Sequence, residues 1–96
     1  MSRVSNKPYF VYVLWSASAH RFYIGISENP EQRLEQHNQG MTRWSARHRP
    51  WILAHVEQFG DYKAARLREN ELKGQKGGRG FFAKTGLEAE QFGRGS

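Results

Sequence analysis

Two runs of aromatic and β-branched residues near the N-terminus, joined by a short polar stretch, limit the possible folds more than any other feature. The first is Tyr9-Phe10-Val11-Tyr12-Val13-Leu14-Trp15 and the second is Phe22-Tyr23-Ile24-Gly25-Ile26. Such residues fit a pleated, half-buried surface, so both runs read as strands. Ser16 to Arg21 is polar and short enough to be a hairpin connection. Side chains alternate between the two faces of a strand. Tyr12 therefore shares a face with Phe10 and Leu14, and Tyr23 shares one with Gly25. Phe22, Ile24 and Ile26 point the other way. Gly25 weakens a strand and gives nothing to pack. Its place in an apolar run calls for a close approach beside Tyr23, by a ligand or by backbone.

Local signals organise the rest. Asn29-Pro30-Glu31-Gln32 has a capping residue, a proline suited to the first helical position and a glutamine able to close a capping box. The helix that it opens is expected to run to about Asn38-Gln39, with Gly40 as its stop. Residues 41–50 form a basic loop, and Trp51 to Phe59 reads as a third strand ended by Gly60-Asp61. A second helix is expected from about Tyr62 to Gln75, with Asp61 as its cap. Gly74, Gly77, Gly78 and Gly80 then break the pattern, and a last short helix fits around Leu87 to Gln91. The expected domain spans 8–85, with loose terminal segments at 1–7 and 86–96. The order ββαβα makes a small α/β domain, a three-stranded antiparallel or mixed sheet flanked by helices. Two helices would cover one sheet face at most. The other face, bearing Tyr12 and Tyr23, would then stay partly open.

A chain of 96 residues makes one domain with a modest core. No apolar stretch is long enough for a membrane helix, and no signal-peptide pattern opens the sequence. With no cysteine there are no disulfides or thiolate metal sites, which suits the cytoplasm. The spacing of His20, His37, His48 and His55 does not suggest zinc. A formal charge of +6 favours a polyanionic partner, although a basic surface also serves solubility alone.

Arg33 and His37 lie four residues apart and share one helix face, which Pro30 extends along the border of the buried side. They are either a solvated pair or a phosphate-facing one, since a guanidinium has forked donors and stays charged. Ala65, Glu69 and Leu72 form a second stripe. A carboxylate among apolar neighbours is costly unless paired or bound to a cation. Glu69 is therefore a cation ligand or a surface acid paired with Arg66 or Lys73. Glu71, beside Arg68, reads as an ordinary surface charge.

Tyr12, Tyr23-Ile24-Gly25, Arg33, His37 and the segment Glu69-Asn70-Glu71-Leu72-Lys73, in that order, resemble the GIY-YIG nuclease family over roughly residues 9–76. The likeness is closest to small stand-alone bacterial members. The first motif departs from it, reading Phe10-Val11-Tyr12 rather than Gly-Ile-Tyr, but keeps the tyrosine. A second departure is that no asparagine follows Asn70, although several larger members carry one there. That bears on substrate positioning more than on catalysis.

The resemblance implies a metal-dependent endonuclease hydrolysing DNA phosphodiesters, with catalytic residues Tyr12, Tyr23, Arg33, His37 and Glu69. Glu69 would hold a divalent cation, Mg²⁺ or else Mn²⁺. Arg33 would stabilise transition-state charge, and one tyrosine would act as base or orient the water. A free phenol titrates near pH 10, so that role needs positive charge nearby. His37 would share proton transfer or hydrogen-bond a tyrosine.

Arg43, Trp44, Arg47 and Arg49 interleave cations with an aromatic ring, as single-strand binders do, and Lys73 and Lys76 extend the basic surface. In the related small proteins a cation sits where Arg43 stands. Trp51 opens a strand and belongs to the core. Arg79 and Lys84, set among glycines, suggest a flexible arm. Single-stranded or irregular DNA is favoured because a lone small module cannot read a long duplex; RNA and oligomeric state are left open. The rival reading is a nucleic-acid-binding module that has the fold without turnover, and a protein-interaction domain comes third.

Overall fold

The computed structural model describes residues 8–40, 43–75 and 79–87. In chain order the elements are β1 (Tyr9–Ser16), β2 (Arg21–Ser27), α1 (Pro30–Asn38), α2 (Arg43–Arg47), β3 (Trp51–Phe59), α3 (Tyr62–Gly74) and α4 (Arg79–Thr85). Both tyrosine-bearing runs are strands, as their composition required. The sheet has the order β2-β1-β3 and is antiparallel throughout, so the mixed alternative does not apply. β1 lies in the centre, and its residues Val11 to Leu14 are buried on both faces.

Register explains the placement of side chains. Tyr12 pairs with Gly25, and Leu14 pairs with Tyr23. Directly opposed residues point to the same face, so both phenols stand together. The opposite face carries Val11, Val13, Trp15, Phe22 and Ile24, which α3 and α4 cover with Ala65, Leu72 and Phe81. The tyrosine face carries Tyr12, Leu14 and Trp51, packed against Leu34 of α1. Helices therefore lie on both faces, contrary to the expectation of an open one. Tyr12 is only 1% exposed.

Local chemistry sets the helix starts as read from the sequence. Asn29 accepts a hydrogen bond from the Gln32 amide, and Asp61 accepts one from that of Ala64. The far end of α1 is fixed by a longer-range device. The Asn38 amide nitrogen donates to the Trp51 carbonyl at 3.0 Å, and its oxygen accepts from the Trp51 N–H at 2.6 Å. This pair imitates a strand ladder and ties α1 to the start of β3, with Trp51 in the core as expected. The hairpin is secured similarly: Ser16 Oγ accepts from the Ala19 amide and donates to the His48 carbonyl.

Two expectations about loops are corrected. Arg43–Arg47, read as loop, forms the short helix α2. Arg79–Thr85 forms α4 rather than a flexible arm, because Phe81 is fully buried in the core. The Lys84 ammonium pairs with Glu71 at 2.9 Å, within a network in which Arg68 donates to Glu57, to Glu71 and to the Lys84 carbonyl. The carboxyl of Glu57 is pushed up by partial burial, but Arg68 and then His55 outweigh this and hold it below its ordinary value. Of the ends expected to be loose, 1–7 and 86–96, and of the helix expected around 87–91, only Gly86 and Leu87 are described; Leu87 is not helical and packs against the core, and the rest lies outside the described residues.

Gly25 is explained by the protein itself. A Cβ there would meet the Tyr12 hydroxyl at 2.7 Å and its ring carbon at 2.8 Å. The close approach inferred from sequence is thus made by a side chain of the neighbouring strand, not by ligand or backbone. Gly25→Ala is expected to lower stability by about 1–3 kcal/mol through overpacking. In a Tyr12→Ala background the same change should cost little. Urea unfolding of the four proteins of this cycle measures the coupling, and equal costs in both backgrounds would refute it.

Candidate active site

A cleft of about 310 Å³ gathers Tyr12 and Tyr23 of the sheet, Arg33 of α1, and Glu69 and Lys73 of α3. Gly25 and Ile26 of β2 also line it, and Tyr62, Arg66 and Asn70 complete the α3 side. Residues from three separate segments therefore converge on one concavity large enough for a phosphate group. A larger hollow of about 620 Å³ runs beside α1, but it is lined by Glu31, Glu35 and amide side chains. Its acids would repel phosphate, and it holds none of the converging residues.

The two rings stand with centroids 6.1 Å apart and 33° between their planes. Burial pushes the Tyr12 phenol up, while Arg33 pulls it down without cancelling the effect, and Tyr23 adds to the rise. The positive charge required by a phenolate is thus present, yet burial outweighs it and Tyr12 stays protonated. Arg33 is exposed, donates to Gln36 Oε1 at 2.9 Å, and has its pKa raised above the ordinary guanidinium value, chiefly by its interaction with Tyr12. It is therefore not merely a solvated helix residue.

His37 is 4% exposed and stands behind the cleft, its ring centroid 4.5 Å from that of Tyr23. Neither ring nitrogen has a hydrogen-bond partner among the described residues, so the expected bond to a tyrosine is not formed. Burial first, and then the Arg33 charge, lower its pKa from 6.5. His37 is accordingly neutral at pH 7.

Glu69 is 9% exposed, and Ala65, Glu69 and Leu72 are the buried residues of α3. Its carboxylate meets Lys73 Nζ at 3.0 Å and Arg66 Nε at 3.7 Å. Both pairings offered by the sequence occur, and both face the cleft. Lys73 and Arg66 are roughly half exposed, so these pairs are weak and exchangeable. No group of three or more His, Cys, Asp or Glu residues suited to a metal occurs among the described residues. A single carboxylate with phenol and amide oxygens nearby suits a hard cation that keeps most of its water. The donor set fits such an ion and not zinc.

The other basic residues stand apart. Arg43 and Arg47 are exposed on α2, and Arg49 donates from Nε to the Ala46 carbonyl at 3.0 Å. None of the three lines the cleft. The Trp44 side chain and Lys76 lie outside the described residues. Among the cleft residues, the sequence reading passed over Tyr62 and took Arg66 only as a possible partner of Glu69. Their spacing held the signal, since positions 62, 66, 69 and 73 fall on one helical face.

His37 supplies a pH prediction. A histidine whose folded pKa is lowered takes up its proton more readily in the unfolded chain, so stability is full above pH 6.5 and falls below it. Urea midpoints between about pH 5 and 7.5 should show this slope in the wild type and a shallower one in His37→Gln. Identical slopes would show that His37 is not buried neutral.

No curated protein matches the chain. Residues 8–81 match the family model described as the GIY-YIG catalytic domain. That span covers most of the 96 residues and both tyrosine strands, α1 and α3, and with it the chain belongs to the GIY-YIG nuclease family.

Proposed function

We propose that this protein is a divalent-metal-dependent endonuclease that hydrolyses DNA phosphodiester bonds, with Mg²⁺ as its ion and single-stranded or irregular DNA as its favoured substrate. Membership of the family implies a nuclease acting on nucleic acid, and such enzymes generally depend on a divalent metal. The observation that carries the reading is the convergence of Tyr12, Tyr23, Arg33 and Glu69 on one cleft. No helix among the described residues is long and apolar enough to cross a membrane. A cytoplasmic setting fits the cysteine-free composition.

Arg33 binds the scissile phosphate and offsets the charge that builds on its oxygens. One phenol, once ionised, takes the proton of the attacking water, and the other orients that water. Tyr12 enters as a hydrogen-bond donor and needs further positive charge before it can serve as a base. His37, neutral and buried, supports the Tyr23 ring from behind. Glu69 is the residue that would hold the cation, which when bound supplies charge neutralisation at the phosphate and leaving oxygen. Lys73 and Arg66 neutralise Glu69 in the free protein, and both are exposed enough to meet phosphates as well. Arg43, Arg47 and Arg49, with Trp44 and Lys76, extend the path of the nucleic acid beyond the cleft.

Labelled single- and double-stranded DNA incubated with Mg²⁺, Mn²⁺ or EDTA tests this directly. Metal-dependent products are expected from the wild type. Arg33→Ala and Glu69→Ala should each lower turnover by about 10² or more while circular dichroism stays unchanged. Near-normal turnover in either variant would overturn the roles assigned here, and a shifted but intact band would favour a binding module without turnover.

A single carboxylate holds Mg²⁺ weakly. Titration calorimetry should therefore show weak binding to the free protein and tighter binding with DNA present. Strong affinity without DNA would contradict the single-carboxylate site.

A further inference from the structure

Tyr62 takes no part in the roles assigned above and Arg66 serves there only to neutralise Glu69, yet both line the cleft. Tyr62 opens α3 and is 48% exposed, unusual for a large ring on a helix whose other face is core. It forms a T-shaped pair with Tyr9, with ring centroids 5.4 Å apart and planes at 78°, and Tyr9 packs in turn against the core. One side of the ring is thus anchored while much of it stays open to water. Arg66 donates from its terminal nitrogen to the Tyr62 hydroxyl at 3.3 Å and is itself 56% exposed. This contact holds the phenol head at the rim and keeps a guanidinium next to it. Arg33 reaches the cleft from α1, so the Tyr62–Arg66 pair occupies the α3 side, away from that guanidinium.

We infer that Tyr62 and Arg66 form a subsite for the nucleotide adjoining the scissile phosphate: the ring stacks on its base and the guanidinium takes its phosphate. Stacking on an exposed ring needs a base free of its own neighbours, which only a single-stranded or locally unpaired substrate provides. A duplex keeps its bases stacked on one another and cannot use the platform. The subsite therefore selects unpaired nucleic acid without reading sequence, because every base has a face to stack. Tyr62 here is a binding residue, and neither residue touches the proton transfer. The inference takes its substrate from the nuclease reading but is measured through binding alone.

Fluorescence anisotropy in EDTA compares an oligothymidylate of about ten nucleotides with an abasic strand carrying the same number of phosphates. The wild type should bind the oligothymidylate more tightly. Tyr62→Ala and Tyr62→Leu should weaken that binding about 5-fold or more with a much smaller change on the abasic strand, and Tyr62→Phe, which keeps the ring, should retain the preference for the oligothymidylate. Arg66→Gln should weaken both strands alike and reduce the salt slope by about 0.7. Circular dichroism of each variant checks the fold. Equal losses on both strands in Tyr62→Ala, or none on either, would overturn the stacking role. Failure of the wild type to bind either strand would overturn it too. The expected binding pattern in a protein that cuts no DNA would support the subsite and refute the proposed catalysis.

Discussion

In the pairing of β1 with β2, the aromatic ring of Tyr12 occupies the space that any side chain at position 25 would need. Protein interiors are close-packed, so a ring of this size fits between a sheet and a helix only where a neighbour gives up its own volume. Glycine does so here. Tyr12 can then be almost fully buried on the central strand, with Leu34 of α1 packed over the same cluster. α1 in turn brings Arg33 to the Tyr12 phenol and sets His37 against Tyr23. A side chain at position 25 would displace the ring, and with it the shared wall of the cleft.

The electrostatics of the site depend on this packing. Burial and the Arg33 guanidinium act on the Tyr12 phenol in opposite directions, and burial prevails. On α3 the balance differs: Glu69 is nearly buried but carries two solvent-facing cations, Arg66 and Lys73. These pairs stand at the mouth of the cleft, where water competes for them, and rearrange easily. The fixed half of the site is thus the sheet and α1, and the adaptable half is the exposed stripe of α3. A phosphate arriving between them meets cations from both sides, which accords with the net charge of +6.

Stability is provided elsewhere. Arg68 joins Glu57 of β3, Glu71 of α3 and the Lys84 carbonyl of α4. With Phe81 buried beneath, this network holds α4 as a helix although Gly80 in its first turn disfavours one. None of its members lines the cleft. The site can therefore keep loosely paired charges without weakening the link between sheet and helices.

Features of short range were legible in the residues. Strand alternation put Tyr12 on a face with Leu14 and Tyr23 on one with Gly25, and Asn29 and Asp61 marked the helix starts through hydrogen bonds spanning three residues. Helical spacing put Glu69 on the buried stripe and Glu71 on another. Each of these follows from the geometry of one element and needs no partner. The sequence could not say that α1 would cover the tyrosine face, since the side on which a connection crosses is set by packing. The reason for Gly25 lay in register with another strand. α4 formed because Phe81 found a core, not because its residues favour a helix. Periodicity and capping are local and act along one segment. Burial, register and the meeting of Tyr12 with Arg33 or of Tyr62 with the cleft arise only when distant segments share the same space.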